Sequence, residues 1–291
     1  MDVIEIFDRR LRRLRRDRAA PDFAEHDFLF DYMVEGIMDR LTLVSRSFAS
    51  ALDLGCHDGR MGRRLEALGI SVLSADPGFR FASMCHGIQC DEDALPFADG
   101  SFDLVVSAGV LDQVNDLPGA LSLIRRALRP DGLFLAAFAG AGSLPTLRAA
   151  TLAADMAAGG AVGSRLHPQI DVRSAGDLLS RAGFALPVAD SERLDVRYRN
   201  PLRLLADLRG MAAGNLQAGQ SSPRYGRERL GNLLGSLAAA ADESGAVTES
   251  FEIVFMTGWA PSPDQPKPAR RGSGTQSLAS VLKPRGDQPP G

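Results

Sequence analysis

A chain of 291 residues with 45% hydrophobic side chains is long enough for one large domain or two small ones and can bury a sizeable core. Its net charge of −3 gives no global attraction to nucleic acid, and no apolar run reaches the roughly 18 residues of a membrane span. Three cysteines (Cys56, Cys85 and Cys90), with no secretory signal ahead of them, point to a reducing cytoplasm without disulfides, and the four scattered histidines show no zinc-type spacing, so no metal is expected.

The first predicted element is a helix. Ile4, Phe7, Leu11 and Leu14 fall at helical spacing, and seven arginines lie between Arg9 and Arg18. One reading is a helix whose apolar stripe docks on the domain while its arginines are solvated. The other is a peripheral contact of the arginine face with a membrane surface or another anionic patch. A second helical pattern over residues 24–48 carries Phe28, Tyr32, Ile37, Leu41, Val44 and Phe48. Residues 1–48 are read as N-terminal helices packed on the core.

From residue 49 strands and helices alternate. Residues 50–54 form a short apolar strand, and a helix follows to Leu68. Residues 70–76, 87–90, 102–107 and 132–139 are further strands, with short helices over 77–85 and 116–128. FDLVVS at 102–107 is a near-continuous apolar run, as a parallel strand buried on both faces requires. Asn115 or Asp116 caps the helix before it reaches Leu117. Such repetition gives an α/β fold with a parallel sheet and right-handed crossovers. Beyond Gly140 the rhythm changes to helices at 143–158, 174–182, 201–211 and 227–241, with strands at 194–198 and 251–259. The helices within about 200–245 are read as an insertion over the ligand crevice of a domain spanning 49–260. From Pro261 onward, 11 of 31 residues are Pro or Gly, a composition that buries too little to fold alone and predicts a flexible tail over 261–291.

The segment ALDLGCHDG, Ala51–Gly59, carries the chemistry. Gly55 and Gly59 allow a tight turn between strand and helix and close approach of a ligand. A dinucleotide fingerprint also needs glycine at 57, where this chain has His57. A ligand without a pyrophosphate, such as S-adenosylmethionine, suits the turn better. Asp53 ends the first strand and either accepts from an ammonium or orders the turn. Asp76 ends the second, where a carboxylate binds both ribose hydroxyls or caps the next helix, and Pro77 suits either role. Asp91, within CDEDALPF, follows the third strand and is read either as an acceptor for an adenine amino group or as part of a solvated acidic loop. Ser107–Asp116 follows the fourth strand on the same edge. Within it, Asp112 is the candidate general base or the holder of a cationic substrate. His57 and Asp58 lack a second histidine for an iron site, and His57 is expected to pack near the amino-acid end of the ligand.

Taken together, ALDLGCHDG, Asp76, DALPFADGSFDLVVS and LRPDGLFLAAF resemble the type 11 group of class I S-adenosylmethionine-dependent methyltransferases over residues 51–140. FDRRLRRLRRDRAA, FAEHDFL, VNDLPGALSLIRRALRPDGLFLAA and FEIVFMTGWAP extend the resemblance along nearly the whole chain, to bacterial relatives of the methyltransferase-like assembly factor of respiratory complex I. The carboxyl methyltransferase of the biotin pathway is a more distant likeness. The resemblance implies a Rossmann-like fold with a seven-stranded, mostly parallel sheet. It also implies S-adenosylmethionine as cofactor, its methionine end at Asp53, Gly55 and Gly59, its ribose at Asp76 and its adenine flanked by Asp91 and Glu92, with Cys56, His57, Pro77 and Ser107 as further cofactor-binding candidates. The implied reaction is methyl transfer to a small-molecule or protein acceptor. In the mitochondrial relatives it is hydroxylation of an arginine on a complex I subunit, so the alternatives here are an assembly factor that hydroxylates or escorts such a subunit and a cofactor-binding module without catalysis. Asp112 and Asp116 would supply carboxylates to a guanidinium. This chain has Asp112-Gln113 where those relatives carry a His-Trp pair.

Overall fold

The computed structural model describes residues 5–159, 166, 168–219, 226–263 and 265. The chain divides into two units, Met1–Pro261 and Ser262–Gly291, and the fold is that of the first. The predicted tail lies almost wholly outside the described residues, as do Ile4 of the predicted first helix, residues 160–165 and 167, and residues 220–225 of the predicted insertion.

Seven strands, β1 (Ser50–Leu54), β2 (Ser71–Asp76), β3 (Ile88–Gln89), β4 (Phe102–Ala108), β5 (Leu128–Ala139), β6 (Ala185–Tyr198) and β7 (Val247–Trp259), form one sheet in the order β3-β2-β1-β4-β5-β7-β6. The first five pair in parallel, and β7 runs antiparallel to both β5 and β6. The chain order reverses between β1 and β4, and there the carboxyl ends of the strands open a crevice. Leu52, Leu54, Val105, Phe134 and Phe138 pack on one face of the sheet with helices α5 (Leu117–Ala127) and α7 (Val172–Arg181). Ala51, Leu104, Val106, Leu133 and Leu135 pack on the other with α2 (Phe28–Thr42) and α3 (Arg60–Ala67). The helix α4 (Phe79–Met84) adds Phe81 to that second cluster.

Asp116 caps α5 by accepting from the Gly119 amide at 2.9 Å. This places Asp116 at the start of the helix, with its side chain exposed. Strand β6 is far longer than the predicted 194–198. It lies at the sheet edge with mostly exposed side chains, so its sequence, ALPVADSERLDVRY, lacks the apolar run that marks a buried strand. Helices α6 (Pro145–Ala157), α8 (Pro201–Gly210) and α9 (Arg227–Ala239) pack beside one another, with α8 also against a 3₁₀ turn at Ala20–Glu25.

The N-terminal helix α1 (Arg9–Ala19) is set differently from its apolar pattern. Its buried residues are Arg12, Arg16 and Ala19, while Leu14 is 44% exposed. The leucine stripe is thus not the docking face: Arg12 and Arg16 turn inward, while Arg10, Arg13 and Arg18 remain exposed. The reason is electrostatic: the crevice it meets is lined with carboxylates. In α2 the buried face is Leu29, Phe30, Met33, Val34, Ile37 and Leu41, with Phe28 and Tyr32 at its margin. Ile37→Ala should therefore cost about 2–5 kcal/mol in urea unfolding, by leaving a cavity in a filled core. Leu14→Ala should stay within about 0.5 kcal/mol, and a large loss there would restore the leucine stripe as the docking face.

Candidate functional site

The turn after β1 begins with Gly55 at φ +83°. A Cβ there would lie 2.5 Å from the Val110 side chain, so both the backbone and the space demand glycine. Gly59, at φ +78°, is the residue before α3, and His57 between them also adopts positive φ, at 47°. Cys56 is fully buried beneath the turn, and a hydrogen bond with the Cys85 thiol together with burial pushes its own thiol pKa up.

His57 does not face an open crevice. Its ring sits among Phe23, Phe30 and Phe81, with centroids 5.1, 4.2 and 5.3 Å away. Nδ1 lies 2.7 Å from the Gly55 carbonyl and so carries the proton, which leaves Nε2 to accept from Arg16 Nη1 at 3.3 Å. Burial, reinforced by the Arg16 charge, lowers its pKa to about 3, so the ring is neutral.

Asp53 and Asp76 end adjacent strands, and both are buried. Their surroundings push them apart. Asp76 receives Arg16 Nε and Nη2 at 2.8 and 2.6 Å, the His57 amide at 3.1 Å and the Gly78 amide at 2.7 Å. Burial alone would raise its pKa, but the Arg16 charge and these hydrogen bonds hold it below the ordinary value. Asp53 has no such cation. Burial and the nearby Asp76 charge raise its pKa to about 7, and its Oδ2 has no hydrogen-bond partner.

Asp91 and Glu92 are buried too, which excludes the solvated-loop reading. Glu92 accepts Arg12 Nη1 and Nη2 at 2.6 and 2.8 Å, and the same guanidinium donates to the Val110 carbonyl at 3.0 Å. Asp91 meets Arg13 at 2.5 Å and Arg9 at 3.3 Å, and Arg9 also grips Asp93 at 2.6 and 2.7 Å. Pro77 is buried beside Asp76 and accepts from Gln89 Nε2 at 2.9 Å. At the end of β4, Ser107 lies opposite Leu54 in register, and its Oγ is buried without a partner. Asp112 and Gln113 occupy a 3₁₀ turn, Leu111–Gln113, where both are buried. Asp112 lies within the electrostatic reach of Arg12, and Gln113 Oε1 has no partner.

The strand ends thus gather Asp53, Asp76, Asp91, Glu92 and Ser107 around the glycine turn. The arginines Arg9, Arg12, Arg13 and Arg16 are the part that sequence reasoning missed. Their i, i+3 and i, i+4 spacing puts them on one face of a helix, and that spacing is the available signal. Their acidic partners lie 60–84 residues away and had no visible link to them.

The fold and the turn define the class as that of the S-adenosylmethionine-dependent methyltransferases. The model of the methyltransferase domain matches residues 52–136. The solved YcgJ protein of Bacillus subtilis superposes with a TM-score of 0.56 at 14% identity, over 79% of this chain and 98% of that one, a likeness of fold. The arginine-hydroxylase NDUFAF5 of Homo sapiens, a mitochondrial protein, is 34% identical over 99% of this chain and 87% of its own length. A malonyl-[acyl-carrier protein] O-methyltransferase of Gallionella capsiferriformans is 27% identical over 89% of this chain and 93% of its own length. The chain belongs to the NDUFAF5 arginine-hydroxylase family and carries its methyltransferase domain.

S-adenosylmethionine is the cofactor of such a domain. The donor set fits it: Asp53 Oδ2, Ser107 Oγ and Gln113 Oε1 are orphaned buried polar atoms, and such atoms are rare without a ligand or water to satisfy them.

The raised pKa of Asp53 has a measurable consequence. A folded pKa near 7 against an ordinary 3.8 means that the folded chain holds a proton which the unfolded chain has lost. Stability from this group is fully present below about pH 4 and falls as pH rises through 7. Asp53→Asn removes the buried charge. It should stabilise the protein against urea at pH 8, and the gain should vanish near pH 4. An equal effect at both values would mean that folding does not raise the Asp53 pKa, and a loss of stability confined to pH 8 would mean that Asp53 has a cation partner.

Proposed function

We propose that the crevice holds S-adenosylmethionine with its methionine end at Asp53, Gly55, Cys56, His57, Gly59 and Ser107, its ribose at Asp76 and Pro77, and its adenine at Asp91 and Glu92. The observation that carries this reading is the set of orphaned acceptors, Asp53 Oδ2 and Ser107 Oγ, at neighbouring strand ends beside the glycine turn. When bound, the cofactor supplies an electrophilic methyl group on a sulfonium. Asp53 would accept from its ammonium, and Ser107 would orient its amino-acid end. Asp112 takes a proton from a weakly nucleophilic acceptor or holds a cationic one in place. Catalysis rests mainly on proximity and alignment, since the chain has only to bring a nucleophile in line with the methyl.

The acceptor is assigned to a cavity of about 780 Å³ between the 3₁₀ turn, α6, α8 and α9. Leu147, Leu205, Leu208 and Leu233 form its apolar walls, and Arg15 and Arg18 add charge. One helix, α1, borders both regions: Arg12 and Arg16 meet the crevice, and Arg15, Arg18 and Ala19 line the cavity. Its size is ordinary for a small-molecule site.

The second reading is favoured by identity to NDUFAF5 over almost the whole chain. Here the protein acts in complex I assembly, on an arginine-bearing subunit, either modifying or escorting it. Among the described residues no helix is long and apolar enough to cross a membrane. Cys56, Cys85 and Cys90 are free thiols, as suits a cytoplasmic site of action.

Isothermal titration of the full chain with S-adenosylmethionine should show one site. Asp76→Asn should weaken it roughly tenfold or more, the size of a hydrogen bond to a charged group. Binding of neither the cofactor nor S-adenosylhomocysteine would contradict the cofactor reading. Mass spectrometry of the host with and without the gene distinguishes the reactions. A lost methylene supports methyl transfer, and a lost oxygen atom on an arginine supports the second reading.

A further inference from the structure

Asp76 already accepts four hydrogen bonds: two from Arg16 and one each from the amides of His57 and Gly78. An ionised carboxylate has about four lone-pair sites. No acceptor capacity is left for a pair of ribose hydroxyls. Both oxygens of Glu92 are likewise held by Arg12, whose Nη2 also closes on the loop after β4 through the Val110 carbonyl. The pairs are dry: the Asp76 and Glu92 side chains are 0% exposed, those of Arg16 and Arg12 2% and 6%. Arg9 and Arg13 extend the same pairing to Asp91 and Asp93 at the rim.

We propose that this carboxylate row is a guanidinium site whose resident occupant is α1, and that α1 and the adenosine half of the cofactor exclude each other there. The inference rests on the cofactor reading above. Asp53 Oδ2, Ser107 Oγ and Gln113 Oε1 have no hydrogen-bond partner among the described residues, so the methionine half of the crevice stays available while the adenosine half is taken. Entry of adenosine therefore begins at the turn and proceeds by exchange: ribose hydroxyls replace the Arg16 fork on Asp76, and the adenine replaces Arg12 beside Glu92. Release of both forks removes the buried anchors of α1 between its ends. Its N-terminal end is tied separately. Phe7 exchanges two hydrogen bonds with Asn115, at 2.8 and 3.0 Å, and Asp8 donates to the Leu216 carbonyl at 2.8 Å. The helix can thus loosen without leaving the domain. Linkage makes the effect reciprocal: whatever factor α1 takes from cofactor affinity, the cofactor takes from the docking of α1.

Most ligands protect the segments around them. Competition predicts the reverse here. Hydrogen exchange of the full chain, with and without saturating S-adenosylhomocysteine, should show amides of Arg9–Ala19 exchanging faster in the complex while those of the turn, residues 55–60, slow down. Slower or unchanged exchange in α1 overturns the proposal and makes the helix a lid over the bound cofactor. A second arm avoids the buried pairs. Arg9→Gln with Arg13→Gln removes only the partly exposed pairs and should tighten S-adenosylmethionine by about threefold, the scale of surface ion pairs. Weaker or equal binding by this variant counts against competition. Absence of any heat in both wild type and variant overturns the cofactor reading itself, and with it the proposal.

Discussion

The Arg16–Asp76 pair sits where the N-terminal helix, the glycine turn and the second strand meet. Asp76 fixes the turn through the His57 amide and the start of α4 through the Gly78 amide, and Arg16 fixes α1 to both. Arg16 also donates to His57 Nε2 and lies 5.1 Å from the Phe81 ring centroid, which ties the phenylalanine cage to the same centre. A charge removed from water is expensive unless it is matched in geometry and sign. Here each is matched by a two-pronged fork. Losing either partner would strand a charge in a region with no solvent to receive it.

The same pair sets the electrostatics of the site. A cation on Asp76 keeps that carboxylate ionised and helps keep His57 neutral. Asp53, one strand away, has the negative neighbour without the cation, and its pKa moves the other way. Two aspartates at equivalent strand ends are thereby made different: one saturated, one lacking a partner on Oδ2. That asymmetry sets a carboxylate saturated by Arg16 beside one whose Oδ2 has no hydrogen-bond partner among the described residues. Family membership and the methyltransferase domain say which cofactor belongs there. The arrangement of α1 adds that the chain's own arginines already sit on three of the carboxylates assigned to it, Asp76, Asp91 and Glu92.

Much of this was legible in the sequence. The runs ALDLG, FDLVVS and GLFLAAFA read as buried parallel strands because both their faces are covered, and burial on both faces leaves a continuous apolar signature. The glycine turn was legible from Gly55 and Gly59, whose positive φ few other residues tolerate. Strand β6 was read too short because an edge strand with exposed side chains carries no such signature. The N-terminal helix was placed on the wrong face because Leu11 and Leu14 outscore arginine on any hydropathy scale. What buries Arg12 and Arg16 is a set of carboxylates far along the chain, and local periodicity contains no trace of that pairing. The aromatic cage around His57 was not legible, because it depends on Phe23, Phe30 and Phe81 coming together from three separate elements.

Arg16 and Asp76 interact strongly and directly in the folded chain. A double-mutant cycle measures that with no cofactor present: wild type, Arg16→Ala, Asp76→Ala and the double variant, each unfolded in urea at pH 7. The account predicts that each single change is strongly destabilising and that the double is far less harmful than their sum, with a coupling of about 1–3 kcal/mol. Additive losses, with a coupling near zero, would mean that the pair is not formed in solution and that α1 is held by something else.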